Sequence, residues 1–377
     1  MQETDTSHAG AILEVDLEAI RSNWRQLATR LGPVACGAVV KADAYGLGAA
    51  AVVPALLAEG ARSFFTAHLD EALALAPLLP ADARLLVLNG LPAGAEADCA
   101  AAGILPVLNS LEQVAAQAAL ARRLGRPLPA AVQVDSGMSR LGLDRRELDR
   151  LADTPDLLAG IDVKLVMSHL AVAEQQDNPM NAAQRDRFAV ACRRLPAAPA
   201  SLANSSGVFL GPDFHFDLAR PGAALYGLAP IAGAPNPMRP VARLRARIIQ
   251  VRETEAGDTV GYGARWTAPA PRRIATVAVG YADGYLRSLS GRATAFAGGV
   301  AVPLVGVVSM DSTTFDVTEA PEAVAGGFLE LIGPAPGRDV DAVATAAGTI
   351  GYEILTALGH RYARRYLTAP QTERPLA

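Results

Sequence analysis

Short apolar segments recur between residues 33 and 222 and are the strongest constraint on the fold. Alanine- and leucine-rich stretches of helical character separate them, as in SLEQVAAQAALARRLG and NAAQRDRFAVACRRL. Alternating strands and helices predict an α/β fold with a parallel sheet, and eight such units predict closure into a (β/α)₈ TIM barrel. The eight segments are PVACGAVVK, SFFTAH, RLLVLNG, ILPVLNS, AAVQVDSG, DVKLVMSH, ASLANSS and FDLARPG.

The character of the sequence changes after the segment IAGAPNPMRP, which we take as the domain boundary. Beyond it, segments rich in Val and Thr alternate with glycine-containing turns, a pattern typical of β-structure. We therefore predict a barrel over residues 11–238 and a mostly β domain over 239–377, with one helical segment, DAVATAAGTIGYEILTALG, near its end. The segment AILEVDL predicts an extra N-terminal strand ahead of the barrel, and packing of residues 1–15 with the second domain is one of two options that the sequence leaves open.

Polar residues follow the carboxyl ends of the barrel segments. In a (β/α)₈ barrel this end carries the active site, whatever the chemistry. Their shared position therefore predicts a functional site more strongly than the identity of any one of them. The residues are Lys41, Asn89, Asn109, Asp135, His169, Ser205 and Arg220.

Composition excludes several classes of function. The net charge of −4 and the isoelectric point near 5.8 do not suggest a nucleic-acid surface. The polar start MQETDTSHAG and the lack of a run of about 20 apolar residues favour a cytoplasmic protein without a membrane segment. The three cysteines, Cys36, Cys99 and Cys192, are expected to be buried thiols. Neither their spacing nor that of His8, His68, His215 and His360 predicts a metal site.

Lysine is scarce in this chain. Of the 34 basic residues, only Lys41 and Lys164 are lysine, and the rest are arginine. Unlike arginine, a buried lysine can lose its proton and act as a nucleophile or base. Lys41 ends the apolar run VACGAVV, where it could bond covalently to a carbonyl compound such as pyridoxal phosphate, pair with a phosphate, or extend to solvent. Lys164 is expected to be a solvated structural residue.

Two later segments could bind a phosphate. ANSSG ends the seventh strand segment and ARPGAALYG follows the eighth, and loops at these positions often form phosphate sites in this type of barrel. Ser205 offers a hydroxyl, Gly222 and Ala223 offer backbone N–H groups, and Tyr45 stands among glycines that permit close approach. Taken singly, NSSG is equally typical of a helix cap.

The segment AVVKADAYGLGA closely resembles the cofactor-lysine signature of bacterial alanine racemases, which are fold-type III pyridoxal phosphate enzymes. The resemblance covers nearly the whole chain and keeps the family's order. It implies an isomerase that interconverts L-alanine and D-alanine (EC 5.1.1.1). The further motifs are LEVDLEAIRSNW, VDSGMSRLGL, SHLA, ANSSG, FDLARPGAALYG, VGYGARW, VGYADGY, VSMDSTTFDVT and GTIGYEIL.

The resemblance also implies two catalytic bases and a homodimer with shared active sites. Lys41 would bind the cofactor covalently, be released by the substrate and act on one of its faces. Tyr262 of the partner subunit would act on the opposite face. The expected partners are therefore a small amino acid and a second copy of the chain, without nucleic acid or membrane.

The remaining site residues are implied by the same resemblance. Arg220 would face the pyridine nitrogen, and His169 would lie against the ring. Cofactor contacts would come from Lys41, Tyr45, Arg140, His169, Ser205, Arg220, Gly222, Ala223 and Tyr352. Substrate contacts would come from Arg140, from Met310 and Asp311 across the dimer, and from Tyr281 at the entrance.

Two positions depart from the family's pattern. Gln133 stands where many relatives have a lysine seven residues before the arginine equivalent to Arg140. We expect its neutral amide to be able to hydrogen-bond Arg140 without supplying negative charge. Val307 stands where many relatives have an arginine near the entrance, which leaves the breadth of substrates open.

Alternative functions follow from the same residues. A racemase of serine or of broader specificity remains open, because one methylene or hydroxyl changes discrimination only about 10- to 200-fold in an apolar pocket. A non-enzymatic pyridoxal phosphate homeostasis protein should lack the second domain. A decarboxylase of this fold should carry cysteine in that domain, and the chain has none after Cys192. Synthesis of D-alanine for cell-wall precursors and breakdown of D-alanine are both compatible with the sequence.

Overall fold

The computed structural model describes residues 6–368, so residues 1–5 and the last part of the predicted second domain, residues 369–377, lie outside the described residues. The strands are β1 (Ala11–Asp16), β2 (Ala35–Cys36), β3 (Ala38–Val39), β4 (Ser63–Thr66), β5 (Arg84–Val87), β6 (Leu105–Leu108), β7 (Leu128–Gln133), β8 (Ile161–Met167), β9 (Ala200–Ser201), β10 (Leu218–Ala219), β11 (Ala242–Thr254), β12 (Thr259–Val260), β13 (Trp266–Thr267), β14 (Arg272–Val277), β15 (Thr294–Ala297), β16 (Val300–Pro303), β17 (Thr313–Asp316), β18 (Phe328–Ile332) and β19 (Ala363–Leu367).

The helices cover the barrel and close the second domain. The α-helices are α1 (Leu17–Leu31), α2 (Ala49–Ala58), α3 (Leu69–Leu75), α4 (Glu96–Ala101), α5 (Leu111–Leu124), α6 (Arg145–Asp153), α7 (Pro179–Arg194), α8 (Val340–Ala347) and α9 (Gly351–Ala357). Short 3₁₀ turns are Ala76–Leu78, Pro155–Leu158, Gly207–Phe209, Pro212–Phe214, Ala223–Tyr226, Tyr262–Ala264, Tyr281–Asp283 and Arg287–Leu289.

The predicted (β/α)₈ barrel is confirmed. A parallel ladder runs in the order β3-β4-β5-β6-β7-β8-β9, and β10 pairs in parallel with β2, which only Gly37 separates from β3. A backbone bond from Asp217 N to Ala200 O, 3.0 Å long, joins β10 to β9 and closes the barrel. The strands are apolar because both of their faces are buried, as at Phe64 and Phe65.

The second domain is built around the long strand β11, whose first residues alternate between buried and partly exposed positions. The sheet order is β16-β15-β18-β11-β1-β19, and β14 pairs with both β11 and β17. A register shift between Ile248 and Gln250 lets β11 pair with β18 through its first half and with β14 through its second. The mostly β character predicted for this part of the chain is confirmed.

The N-terminal strand β1 lies inside the sheet of the second domain. It pairs antiparallel with β11 and parallel with β19, and Asp16 at its end caps α1 by accepting a hydrogen bond from Ala19 N at 2.8 Å. The chain thus starts in one domain and enters the barrel through α1. The single helical segment predicted near the C-terminal end is two helices instead, because Gly348 ends α8 with a φ of 73°.

A buried carboxylate holds β1 in this sheet. Glu14 is only 3% exposed, and its carboxylate lies 2.8 Å from Arg245 and 3.8 Å from Arg243, both on β11. Arg365 on β19 approaches the same carboxylate at 3.6 Å. The charge therefore ties together the three strands that join the N-terminus to the second domain.

Replacing Glu14 with Gln should lower the free energy of unfolding by about 2–4 kcal/mol, because it removes the buried carboxylate that pairs with three partly buried arginines. Urea titration monitored by circular dichroism measures this decrease in the free energy of unfolding. Asp82→Asn is the matched control, since Asp82 pairs with Arg62 at 2.8 Å on the exposed surface and should lose less than about 1 kcal/mol. Equal losses in both variants would contradict a stabilising role for the Glu14 cluster.

Candidate active site

Charged and polar side chains that follow the barrel strands converge at one end of the barrel. Lys41 follows β3, Arg140 lies in the loop after β7, His169 follows β8 and Arg220 follows β10. The charges of the two arginines and of the lysine all act on His169, which places the four groups in one electrostatic environment. The structure therefore brings together three of the residues that the sequence places on this face, Lys41, His169 and Arg220, with Arg140 beside them.

The turn that begins at Lys41 has an unusual backbone. Ala42, Asp43, Ala44 and Tyr45 have φ values of 52°, 53°, 53° and 57°, so four successive non-glycine residues are left-handed. Each such residue costs about 1–2 kcal/mol, and the conformation persists only where surrounding contacts impose it. One such contact is the Asp43 carboxylate, which accepts a hydrogen bond from Ala49 N at 2.7 Å.

Electrostatics at the lysine favour its neutral form. Burial is the main cause that lowers the pKa of Lys41, and the positive charge of Arg140 lowers it further. The negative charge of Glu71 acts in the opposite direction. A lowered pKa increases the fraction of neutral amine near pH 7, which is the form that acts as nucleophile or base.

Arg220 is held rigidly inside the barrel and is 3% exposed. One of its terminal nitrogens donates to Ser201 Oγ at 2.6 Å, and the other donates to Ser168 O at 2.6 Å. Burial lowers the pKa of Arg220 to about 10, so the guanidinium stays charged at neutral pH. Neither serine was predicted, because only the folded barrel brings them to the arginine.

His169 is neutral in this environment. Burial and the charges of Arg220, Arg140 and Lys41 lower the pKa of His169 to about 3. Arg220 Nη2 lies 3.4 Å from His169 Nδ1, and a guanidinium can only donate. The Nδ1 atom must therefore accept, and the ring proton is on Nε2.

A second cluster beside the lysine turn forms a small polar cradle. Ser205 Oγ accepts hydrogen bonds from Gly222 N at 2.9 Å and from Ala224 N at 3.1 Å. A Cβ atom at Gly222 would lie 2.5 Å from Tyr45 Oη, so only glycine lets the tyrosine hydroxyl reach this backbone. Hydroxyls and backbone N–H groups in this arrangement suit a phosphate, and Ala223 begins the 3₁₀ turn that presents them.

Aromatic rings hold Tyr45 in place. Its ring centroid lies 4.7 Å from that of Tyr226, whose hydroxyl donates to Val39 O at 2.9 Å. Tyr352 of α9 approaches from the second domain, with ring centroids 5.9 Å apart. Tyr45 and Tyr352, for which the resemblance implies cofactor contacts, thus lie next to each other, whereas Tyr226 is a supporting residue that sequence reasoning missed.

The other predicted site residues lie on the surface of the second domain. Tyr262 is 71% exposed and Met310 is 53% exposed, and Tyr281 and Asp311 are also exposed. Within residues 6–368, no described hydrogen bond or ion pair joins any of them to Lys41.

The exposed residues nevertheless form an ordered group. Tyr281 N donates to Ser309 O and Ala282 N donates to Met310 O, each at 3.0 Å, so the two turns are bonded together. Arg361 lies 2.7 Å from the Asp311 carboxylate and also binds the buried carboxylate of Asp283. A rigid, exposed, partly apolar surface of this kind is typical of a protein–protein contact.

The two positions that depart from the family pattern are both buried. Gln133 ends β7 at 7% exposure, and among the described residues no hydrogen bond joins its side chain to Arg140. The expected amide–guanidinium contact is therefore not present in the single chain. Val307 is also buried, and its backbone nitrogen lies close to Gly261, next to Tyr262.

Within residues 6–368, no helix is long and apolar enough to cross a membrane. In the same part of the chain no group of three or more His, Cys, Asp or Glu side chains is arranged to hold a metal ion.

Comparison with known proteins covers both domains. The family model "Alanine racemase, N-terminal domain" matches residues 15–230, and the model "Alanine racemase, C-terminal domain" matches residues 241–366. Alanine racemase of Rhodospirillum rubrum is 54% identical over 361 residues, covering 95% of this chain and 96% of that protein. Alanine racemase of Brucella abortus is 53% identical over 374 residues, covering 95% and 94%.

A solved structure extends the likeness to three dimensions. The crystal structure of alanine racemase from Bartonella henselae with covalently bound pyridoxal phosphate superposes with a TM-score of 0.91 at 42% identity. The match covers 95% of this chain and 100% of that one. Both family models, the identities and the shared fold agree with the geometry at the barrel mouth, and the chain belongs to the alanine racemase family.

Proposed function

We propose that this chain is a pyridoxal phosphate-dependent alanine racemase that interconverts L-alanine and D-alanine with Lys41 and Tyr262 of the partner subunit as its two bases. The observation that carries the proposal is a lysine with a lowered pKa beside the buried Arg220–His169 pair. Membership of the alanine racemase family supports the same activity. A racemase of serine or of broader specificity is the alternative within this chemistry.

The residues at the barrel mouth fit pyridoxal phosphate. The Tyr45 hydroxyl, Ser205 and the glycine-lined backbone at Gly222 suit its phosphate, and Lys41 suits its aldehyde. Arg220 would face the ring nitrogen and Arg140 the phenolic oxygen. Bound there, the cofactor supplies an electron sink that stabilises negative charge on the α-carbon of the substrate.

Racemisation requires a proton to leave one face of the substrate and another to arrive on the opposite face. Lys41 serves one face, and its lowered pKa increases the fraction of neutral amine that can accept a proton. The phenol of Tyr262 from the partner serves the other face. Two bases on opposite sides allow both directions of reaction without turning the substrate over.

The second base comes from the partner because the tyrosine stands on the outer surface of its own domain. Its exposure, and that of Met310 in the same domain, support burial against a second copy of the chain. Met310 and Asp311 of the partner, Arg140 and the entrance residue Tyr281 would then surround the substrate. We assign the barrel to residues 11–238 and the contributing domain to 239–377, and we expect a cytoplasmic homodimer.

The substrate carboxylate needs a cation, and Arg140 is exposed at the barrel mouth. A guanidinium can bind a carboxylate through two parallel hydrogen bonds, and this geometry also fixes the orientation of the substrate's α-hydrogen. Arg361 binds the Asp311 carboxylate at 2.7 Å and so offsets a negative charge that would repel the substrate.

The presence of the second domain argues against the alternative function as a non-enzymatic pyridoxal phosphate homeostasis protein.

Tyr262→Phe should slow racemisation about 10²- to 10⁴-fold, because general acid–base catalysis at one face is lost. In deuterium oxide, proton exchange should persist for the enantiomer whose α-hydrogen faces Lys41 and fall sharply for the other. Mass spectrometry of the recovered alanine measures both rates. Tyr285→Phe is the matched control, since Tyr285 is buried in the same domain and its hydroxyl makes no hydrogen bond to the described residues. Equal loss of exchange from both enantiomers would contradict the two-base assignment.

Mixing two inactive variants tests whether the site is shared. Lys41→Ala and Tyr262→Phe should each be inactive alone, whereas refolding them together at equal concentration should restore about a quarter of wild-type activity. Half of the dimers would be hybrids, and each hybrid would carry one intact site. Activity that stays at the level of the separate variants would show that both bases come from one chain.

A further inference from the structure

Glu71 binds three backbone N–H groups at the mouth of the barrel. Its carboxylate accepts from Ala42 N at 2.5 Å, from Ala67 N at 2.8 Å and from His68 N at 3.1 Å. The last two belong to the loop between β4 and α3, which contains Glu71 itself. The first belongs to the neighbouring loop and is the amide directly after Lys41.

This contact reaches the left-handed turn at its first residue. Ala42 opens the run of four left-handed residues, a conformation that needs support from outside the turn. Inside the turn, Ala44 N donates to Val40 O at 2.9 Å and Gly46 N donates to Ala42 O at 2.7 Å. Those bonds leave the Ala42 N–H without an acceptor in its own loop, and Glu71 supplies one.

Glu71 also balances the charges around the lysine. The charged and titratable groups that face Lys41 are Arg140 from the loop after β7, His169 after β8 and Glu71 on α3. His169 is neutral and Arg140 is positive, whereas Glu71 is negative and raises the pKa of the lysine. The amine thus lies between one positive and one negative neighbour.

We propose that Glu71 is a positioning residue for Lys41, which holds the first amide of the lysine turn and offsets the positive charge of Arg140. The proposal rests on the proposed role of Lys41 and deepens it. Without this carboxylate, the turn loses an anchor at the residue adjacent to the reacting amine. The amine then faces Arg140 with no negative neighbour on α3.

The chain contains a matched control for this contact. Glu147 occupies the third position of α6, as Glu71 does in α3, and both complete a capping box. The Glu147 carboxylate accepts from Asp144 N at 3.1 Å and from Leu111 N, the first residue of α5, also at 3.1 Å. Glu147 therefore also binds a backbone N–H of the neighbouring strand–helix unit, but that N–H is not next to a lysine.

Competitive acetylation of the full-length chain without cofactor tests the charge effect directly. The chain has only two lysines, and Lys164 is exposed and paired with Asp162 at 2.6 Å, so it serves as an internal reference. Limiting acetic anhydride is applied across a pH series, and mass spectrometry gives the labelling midpoint of each lysine. Glu71→Gln should move the Lys41 midpoint down by about half a pH unit or more and leave Lys164 unchanged.

Holoenzyme kinetics test the positioning effect. Glu71→Gln should lower kcat about tenfold with little change in KM, because a small misplacement of the reacting group affects the chemical step. Glu71→Asp keeps the charge but shortens the side chain, so it should restore the labelling midpoint while kcat stays reduced. Glu147→Gln should leave both quantities at their wild-type values.

The outcomes distinguish failure of the proposed role of Glu71 from failure of the proposed role of Lys41. An unchanged Lys41 midpoint and kcat in Glu71→Gln, or equal changes in Glu147→Gln, would overturn the positioning role. Circular dichroism of each variant checks that the barrel is intact, and Lys164 reports general loss of structure. The acetylation readout needs no cofactor, so it remains decisive even if the cofactor bonds elsewhere.

Discussion

A single amine at the end of a barrel strand sets the requirements that the rest of the structure meets. Lys41 must be neutral often enough to react, yet it must stay in a fixed place beside polar and charged groups. Burial and Arg140 lower its pKa, Glu71 limits that shift, and the left-handed turn that follows fixes the backbone. The barrel supplies these groups from several different strands, because the carboxyl ends of all its strands meet at one face.

The second domain completes this arrangement from outside the barrel. A Cβ atom at Gly46 would lie 2.4 Å from Leu355 O, so α9 packs directly on the lysine turn. Arg364 of β19 donates to Gly46 O at 2.9 Å and adds a further link. The same domain is joined to the N-terminus through Glu14 and exposes Tyr262 on its surface. The domain that carries the proposed second base thus contacts the turn that carries the first through α9 and β19.

Much of the fold could be predicted because its signals are local. The eight barrel segments are apolar runs bounded by polar residues, and each becomes a strand. The left-handed turn could not be predicted, since Ala42–Tyr45 contains no glycine, and only tertiary contacts impose that backbone. The contacts of Glu71 and of Ser201 could not be predicted either, because they join parts of the chain that are distant in sequence. The prediction of a single helix near the C-terminal end was wrong, because Gly348 divides that segment into two helices. The role of Tyr262 stays a prediction, since it depends on a second chain.

The central claim is that Lys41 carries the cofactor, and the scarcity of lysine makes this claim simple to test. Borohydride reduction of the purified holoenzyme fixes pyridoxal phosphate to the nitrogen that holds it, and peptide mass spectrometry locates the modified residue. The account predicts the added mass on Lys41 and none on Lys164, the other lysine of the chain. Modification of Lys164, or a reduced protein with no modified lysine, would contradict it.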